Sequence, residues 1–190
     1  MKLSGSYQIN LEKQKVWEAL NDPEILQKTI PGCEEFIKKS ETEFTATATN
    51  KIGPFNASFT GDIELKDLNP PHSYKISGSG NSPVGFANGE ATVSLEDEDN
   101  GTRLTYTVEA NVGGKIAQVG SRLIDMTAKK MADIFFGKFS ELVSNDQDDK
   151  KTTEENVVEN EIPRKKNSQK KILIYISIAV FAAVAIYLIV

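Results

Sequence analysis

Between residues 33 and 112 every apolar segment repeats with a period of two. That property restricts the folds open to this chain more than any other. "EFTATATNKI" alternates Phe44, Ala46 and Ala48; "FNASFTGDIEL" alternates Phe55, Ala57, Phe59, Gly61, Ile63 and Leu65. "ANGEATVSL" alternates Ala87, Gly89, Ala91, Val93 and Leu95; "RLTYTVEANV" alternates Leu104, Tyr106, Val108, Ala110 and Val112. A strand sends successive side chains to opposite faces, so each segment has one face for a core and one for water. Gly53-Pro54, Pro70-Pro71 and Asn100-Gly101 supply turn chemistry between the runs. The pattern predicts a six-strand antiparallel meander, preceded by a further short strand in "SGSYQIN".

Around the meander the period changes. Val16, Trp17, Leu20, Ile25, Leu26 and Ile30 fall at helical spacings interrupted by Asn21-Asp22-Pro23, which predicts two short helices ended by Pro31-Gly32. Residues 115–143 contain no proline and carry Ile116, Val119, Leu123, Met126, Ile134, Phe135 and Leu142, which predicts one long helix. Only that helix is long enough to cover the concave face of a curled sheet. The expected architecture is therefore an α+β helix-grip domain over residues 1–143.

The inward parity of the strands is unusually small. Ala46, Ala48, Ala57, Gly61, Ala87, Gly89, Ala91 and Ala110 share it with the larger apolar residues, and Gly78 and Gly80 lower the volume of a further strand. Close packing under a helix needs bulk. A mostly apolar cavity is expected instead, lined by Phe44, Phe59, Phe86, Tyr106, Leu123 and Ile134, with Ala91 on its floor and Gly120 serving close packing or leaving room at the mouth. The other reading of the small residues is tight strand twist or close helix approach with no pocket.

Several chemistries lack the residues they need. His72, the one histidine, follows Pro70-Pro71 in an expected surface turn and has no nucleophile or orienting partner in view. Tyr106 and Glu90 are the candidates for a polar group aimed into the cavity. Cys33 is the one cysteine, so no internal disulfide and no cysteine-based zinc site is expected. The acidic run Glu96, Asp97, Glu98 and Asp99 reads as a solvated hairpin tip, without the turn pattern of a calcium loop. "VGGKIAQVGSR" lacks phosphate-loop spacing, and its glycine pair reads as the exit from the last strand. No catalytic residue and no metal ligand is assigned.

Charge divides the chain into three parts. Residues 1–143 hold 15 basic and 20 acidic side chains, residues 144–163 hold 2 and 7, and residues 164–190 hold 5 and 0. A mildly acidic domain without a basic stripe excludes nucleic acid as an expected partner. Residues 144–171 read as a disordered charged linker, with a reach on the order of 30 Å. Residues 172–190, "ILIYISIAVFAAVAIYLIV", are uncharged from Ile172 through Phe181 to Val190, with Tyr175 and Tyr187 towards the two ends. As a helix the run spans roughly 28 Å, close to the bilayer core of about 30 Å. Arg164, Lys165, Lys166, Lys170 and Lys171 flank it on one side alone. The positive-inside rule then predicts a single-pass tail anchor in the cell membrane, with the domain facing the cytoplasm. The N-terminal residues offer no apolar run of the kind a secretory signal needs.

"IPGCEEF", "GPFNASFTGDIEL", "GFANGEATVSLE", "TRLTYTVEANVGGKIAQVGSRLID" and "KKMADIFFGKF" together resemble the carbon monoxide dehydrogenase G-subunit (CoxG-like) family of the START/Bet v 1-like (SRPBCC) superfamily. The likeness covers residues 1–142, and "GGKIAQVGSRLI…FF" is its most specific part. It implies a non-catalytic accessory protein of molybdenum-hydroxylase-type dehydrogenases, acting in membrane recruitment or quinone handling, with no covalently bound cofactor and a quinone or other apolar lipid as ligand. Two alternatives stand beside that expectation: a purely structural recruiter of a partner enzyme, and an enzyme that modifies a lipid.

Overall fold

The computed structural model describes residues 1–151, and side chains as far as residue 144. Seven strands form one antiparallel sheet: β1 (Lys2–Ile9), β2 (Cys33–Lys38), β3 (Glu43–Ile52), β4 (Phe55–Asn69), β5 (Ser73–Ser82), β6 (Gly85–Glu98) and β7 (Gly101–Gly114). Their order is β1-β7-β6-β5-β4-β3-β2, so the meander is unbroken and the N-terminal strand joins its far edge. Helices α1 (Lys13–Ala19) and α2 (Pro23–Thr29) carry the chain from one edge of the sheet to the other, and α3 (Ser121–Lys151) follows β7.

Local chemistry accounts for these elements. Alternation is nearly perfect in β4, where Phe59, Gly61, Ile63 and Leu65 are buried while Ser58, Thr60, Asp62 and Glu64 are exposed. The Asp22 carboxylate caps α2, accepting from the Glu24 N–H at 2.8 Å and the Ile25 N–H at 3.4 Å, with Pro23 in the first turn. This arrangement satisfies donors that a helix start leaves open. Thr102, at 0% exposure, donates from Oγ1 to the Leu11 carbonyl at 2.7 Å and so ties the start of β7 to the chain leaving β1.

Two expectations change at the helix. The segment after β7 begins as a 3-10 helix, Lys115–Val119, and α3 starts only at Ser121. Gly114 (φ +86) and Gly120 (φ +91) bound that short helix in conformations L side chains resist. A Cβ at Gly120 would meet nothing within 4 Å, so this glycine serves a bend and not close packing. In addition, α3 runs on to Lys151, so residues 144–151 are helical rather than linker. No glycine or proline there stops the helix. The remaining linker, the basic flank and the apolar run 172–190 lie outside the described residues. No helix among the described residues is long and apolar enough to cross a membrane.

The face by which α3 meets the domain also differs from the expected one. Ala128, Ala132, Phe135, Phe136, Phe139 and Val143 are buried, whereas Leu123 is 37% and Met126 61% exposed. At 100° per residue the buried set makes one stripe, with Leu123 and Ile134 on the opposite side. The helix packs on β1, on α2 and on the 3-10 helix. Phe136 packs on Tyr7 (ring centroids 4.0 Å apart) and on Tyr106 (5.8 Å), which stand 6.1 Å from each other.

Candidate functional site

The concave face presents two kinds of surface. On the β1–β7 side it is filled by aromatic rings: Tyr106 lies over Gly5, where a Cβ would stand 2.6 Å from the tyrosine oxygen, and under Phe136. On the central strands the inward positions are small. Ala46, Ala48, Ala87 and Ala91 are each 2% exposed or less, and Gly61 and Gly80 are buried beside them. Register stacks these residues across neighbouring strands: Ala46 opposite Gly61, Gly61 opposite Gly80, Gly80 opposite Ala87. Phe44 and Phe59, both 1% exposed, stand on the same face at either side of that small floor.

Of the predicted lining, Phe44, Phe59, Ala91 and Tyr106 therefore occupy the concave side. Phe86 does not. It neighbours the inward Ala87, so strand parity turns it outward, 40% exposed, and its ring lies over Gly113 in direct contact with the position a Cβ would occupy. Leu123 and Ile134 lie on the outward side of α3, and Gly120 is exposed at the bend that precedes it. Glu90 is exposed on the outer face of β6, again by parity, which removes it as a group aimed into the fold.

Asp125 is a residue that sequence reasoning misses. It stands three residues before Ala128, on the inner stripe of α3, and its Oδ1 is buried without a hydrogen-bond partner. A buried oxygen left without a donor carries a desolvation cost that a donor would relieve. A lone aspartate between Ile124 and Met126 gives no sequence signal of this. Only the helix phase, which the structure fixes, reveals it.

The polar chemistry elsewhere is modest. Tyr7 donates to the Asp133 carboxylate at 2.5 Å; burial, reinforced by that carboxylate, pushes its hydroxyl well above the usual tyrosine range. Burial likewise raises Tyr106. Neither is poised to exchange protons near neutrality. His72 is exposed in the β4–β5 turn, as expected. Asp97 pairs with Lys13 at 2.6 Å and Glu98 with Arg103, which accounts for half of the acidic hairpin tip by ordinary surface pairing. Among the described residues no cluster of His, Cys, Asp or Glu can hold a metal ion. A groove of about 550 Å³ opens on the outer face between β3, β4 and β5, lined by Lys39, Glu43, Asp62, Glu64, Ser77 and Ser79. Its one cation is paired within it, and Glu64 pairs with Lys66 beside it at 3.1 Å. Lys39 sits 2.9 Å from Asp62, whose carboxyl is held below the ordinary range by hydrogen bonds from Thr45 and Lys39.

The arrangement is thus a helix laid over a curled sheet whose central inward positions are small and apolar, with one unpartnered carboxylate oxygen on the covering helix. Comparison with solved structures gives the same fold repeatedly. A conserved protein from Geobacillus kaustophilus matches with a TM-score of 0.73 and 33% identity, over 76% of this chain and 96% of that one. A Thermus thermophilus protein (TM-score 0.59, 15% identity, 76% and 98% covered) and a Rhizobium leguminosarum protein (0.58, 15%, 76% and 95%) share the fold. No curated protein sequence matches the chain. The family of the carbon monoxide dehydrogenase G-subunit (CoxG) matches residues 5–144, which contain the whole sheet beyond its first residues and α3 as far as its last buried turn. With that coverage and a helix-grip architecture to match, the chain belongs to the carbon monoxide dehydrogenase G-subunit (CoxG) family.

Proposed function

We propose that this protein is an accessory carrier that holds an apolar ligand between the concave sheet and α3, and that residues 172–190 tether it to the membrane from which the ligand comes. The observation that carries the reading is the buried floor of Ala46, Ala48, Gly61, Gly80, Ala87 and Ala91 on the inward side of the central strands, with Ala128 and Ala132 small and buried on the inner stripe of α3. Small residues on both sides leave volume where close packing would otherwise demand bulk. Family membership fits a ligand-binding accessory role. Within it, the ligand we favour is a prenyl quinone and the partner a molybdenum-containing dehydrogenase. The role is delivery rather than catalysis, with the domain on the cytoplasmic side.

Energetics set the requirement. Each CH₂ exposed to water costs about 0.8 kcal/mol, so lifting one isoprene unit costs roughly 3–4 kcal/mol unless a dry cavity receives it. A tether lowers the affinity needed, because it holds the domain at high effective concentration beside the ligand.

The test uses residues 1–151. The buried core closes within residues 9–143, and the Geobacillus structure consists almost wholly of this unit, so the fragment folds alone. Organic extraction and mass spectrometry, after incubation with membrane lipids, should recover a stoichiometric apolar ligand from the wild-type fragment and little from Ala91→Phe. Equal recovery from both, or none from either, overturns the carrier reading.

A further inference from the structure

One end of the sheet gathers four connections: the α2–β2 passage, whose Pro31 carbonyl accepts from Asn50 at 3.0 Å, the β3–β4 turn, the β5–β6 turn, and the passage from β7 through the 3-10 helix into α3. They touch. A Cβ at Gly53 would sit 3.3 Å from Leu123 Cδ2 and 3.4 Å from Val119 Cγ1, and the Ile116 N–H donates to the Val84 carbonyl at 3.0 Å. This end carries three of the four exposed large apolar side chains among the described residues: Met126 (61%), Phe86 (40%) and Leu123 (37%).

The same end is positively charged. Residues 50–56, 81–88 and 111–122 contain Lys51, Lys115 and Arg122 and no acidic residue. All three cations are exposed, and none forms an ion pair among the described residues. Lys129 and Lys130 continue the charge along the exposed side of α3. Of the acids at this end, Asp125 is turned to the inner stripe and Asp133 to the Tyr7 hydroxyl, while Glu34 and Glu35 are exposed on the edge strand β2. At the far end of the sheet, residues 95–103 carry Glu96, Asp97, Glu98 and Asp99 against Arg103 alone. The acidic hairpin tip and the three cations of the rim thus stand at opposite ends of the strands, and the exposed apolar side chains gather at the cationic end.

We infer that this rim is a docking surface for an anionic lipid bilayer, with Leu123, Met126 and Phe86 entering the interface and Lys51, Lys115 and Arg122 among the headgroups. Exposed apolar side chains ringed by cations match a surface that offers acyl chains beneath phosphates. The purpose of such docking rests on the carrier reading, since it brings the helix–sheet gap to the bilayer. Its measurement does not. The surface lies on the folded domain, so it would act in addition to any anchor in residues 172–190.

The experiment is co-sedimentation of residues 1–151 with phosphatidylcholine vesicles containing or lacking phosphatidylglycerol, at low and high salt. Binding should require the anionic lipid and weaken with salt. Each cation near an anionic surface contributes about five-fold in affinity, so Lys51→Glu/Lys115→Glu/Arg122→Glu should lose on the order of a hundred-fold or more. Leu123→Ser/Met126→Ser, at exposed sites, should weaken binding without loss of fold, checked by thermal melting. Asp99→Lys at the opposite pole should leave vesicle binding unchanged. The inference is overturned if the fragment does not sediment with anionic vesicles, if neutral vesicles bind as well, or if the rim variants bind like wild type. It is equally overturned if rim variants keep vesicle binding and lose capture of the partner dehydrogenase, which would make the patch a protein interface. Ala91→Phe separates the two proposals: it should empty the cavity and leave vesicle binding intact.

Discussion

Tyr74 offers a test in which the structure predicts a gain. Its side chain is 1% exposed and its ring meets Trp17 edge-on at 5.5 Å, while its hydroxyl is buried with no hydrogen-bond partner. An unsatisfied buried hydroxyl costs about 1–3 kcal/mol, and Tyr74→Phe removes the hydroxyl while keeping the ring and its edge contact. For a domain of this size we expect a gain of about 1–2 kcal/mol, seen as a rise in Tm of roughly 3–6 °C. The pH dependence supplies a second signature. Burial raises the Tyr74 hydroxyl above its ordinary value of 10.0, so in the folded state it stays protonated where the unfolded chain has released its proton. The unfolded state then binds fewer protons, and stability is fully present below pH 10 and falls as pH rises beyond it. From this one group the wild type should lose about 1.4 kcal/mol between about pH 7 and about pH 11. Tyr7 and Tyr106 add losses of the same sign, common to both proteins, and cancel in the comparison. Urea unfolding of residues 1–151 and of Tyr74→Phe at the two pH values should therefore show the advantage of phenylalanine widening by that amount. A destabilised variant, or an advantage equal at both pH values, would refute the reasoning, because it would mean the hydroxyl is bonded or solvated in the fold.

Two further predictions concern single groups. Thr102→Val keeps the shape of a buried side chain but removes the donor to the Leu11 carbonyl, and should cost about 1–3 kcal/mol in urea unfolding; Thr102→Ser, which retains the donor, should cost less, and equal losses would show that the bond is not the source. Burial pushes the Cys33 thiol up to about 11 from 9.0, so at about pH 8 its thiolate is scarce and its reaction with an aromatic disulfide reagent should run about 100-fold slower than in the urea-unfolded chain; matching rates in the two states would contradict the burial.

The sheet is legible in the sequence because pleating fixes the period at two, and a run such as Phe59, Gly61, Ile63, Leu65 admits only one inward face. The same rule explains why Phe86 stands outside the lining. Its size suggests a pocket wall, but Ala87 beside it already holds the inward parity. Half of the expected lining, Phe44, Phe59, Ala91 and Tyr106, stands on the concave side, as strand parity requires. The bend at Gly120 is harder to see, since a proline-free stretch with regular apolar residues looks continuous, and glycine marks a break only when its φ is known.

Helix α3 is the least legible element because it carries two apolar stripes. One comprises Ala128, Ala132, Phe135, Phe136, Phe139 and Val143; the other comprises Leu123, Met126 and Ile134. Periodicity alone ranks the second as a core face as readily as the first. The choice is made by the partner. Over the β1–β7 side the helix meets Tyr7 and Tyr106 through the Phe136 ring, and this phase puts Ala128 and Ala132 on the buried stripe and carries Asp125 to the inner side as well. Leu123 and Met126 are then left facing water, at the end of the domain where Lys51, Lys115 and Arg122 also stand. A helix apolar on two sides calls for two partners, and the sheet is only one of them.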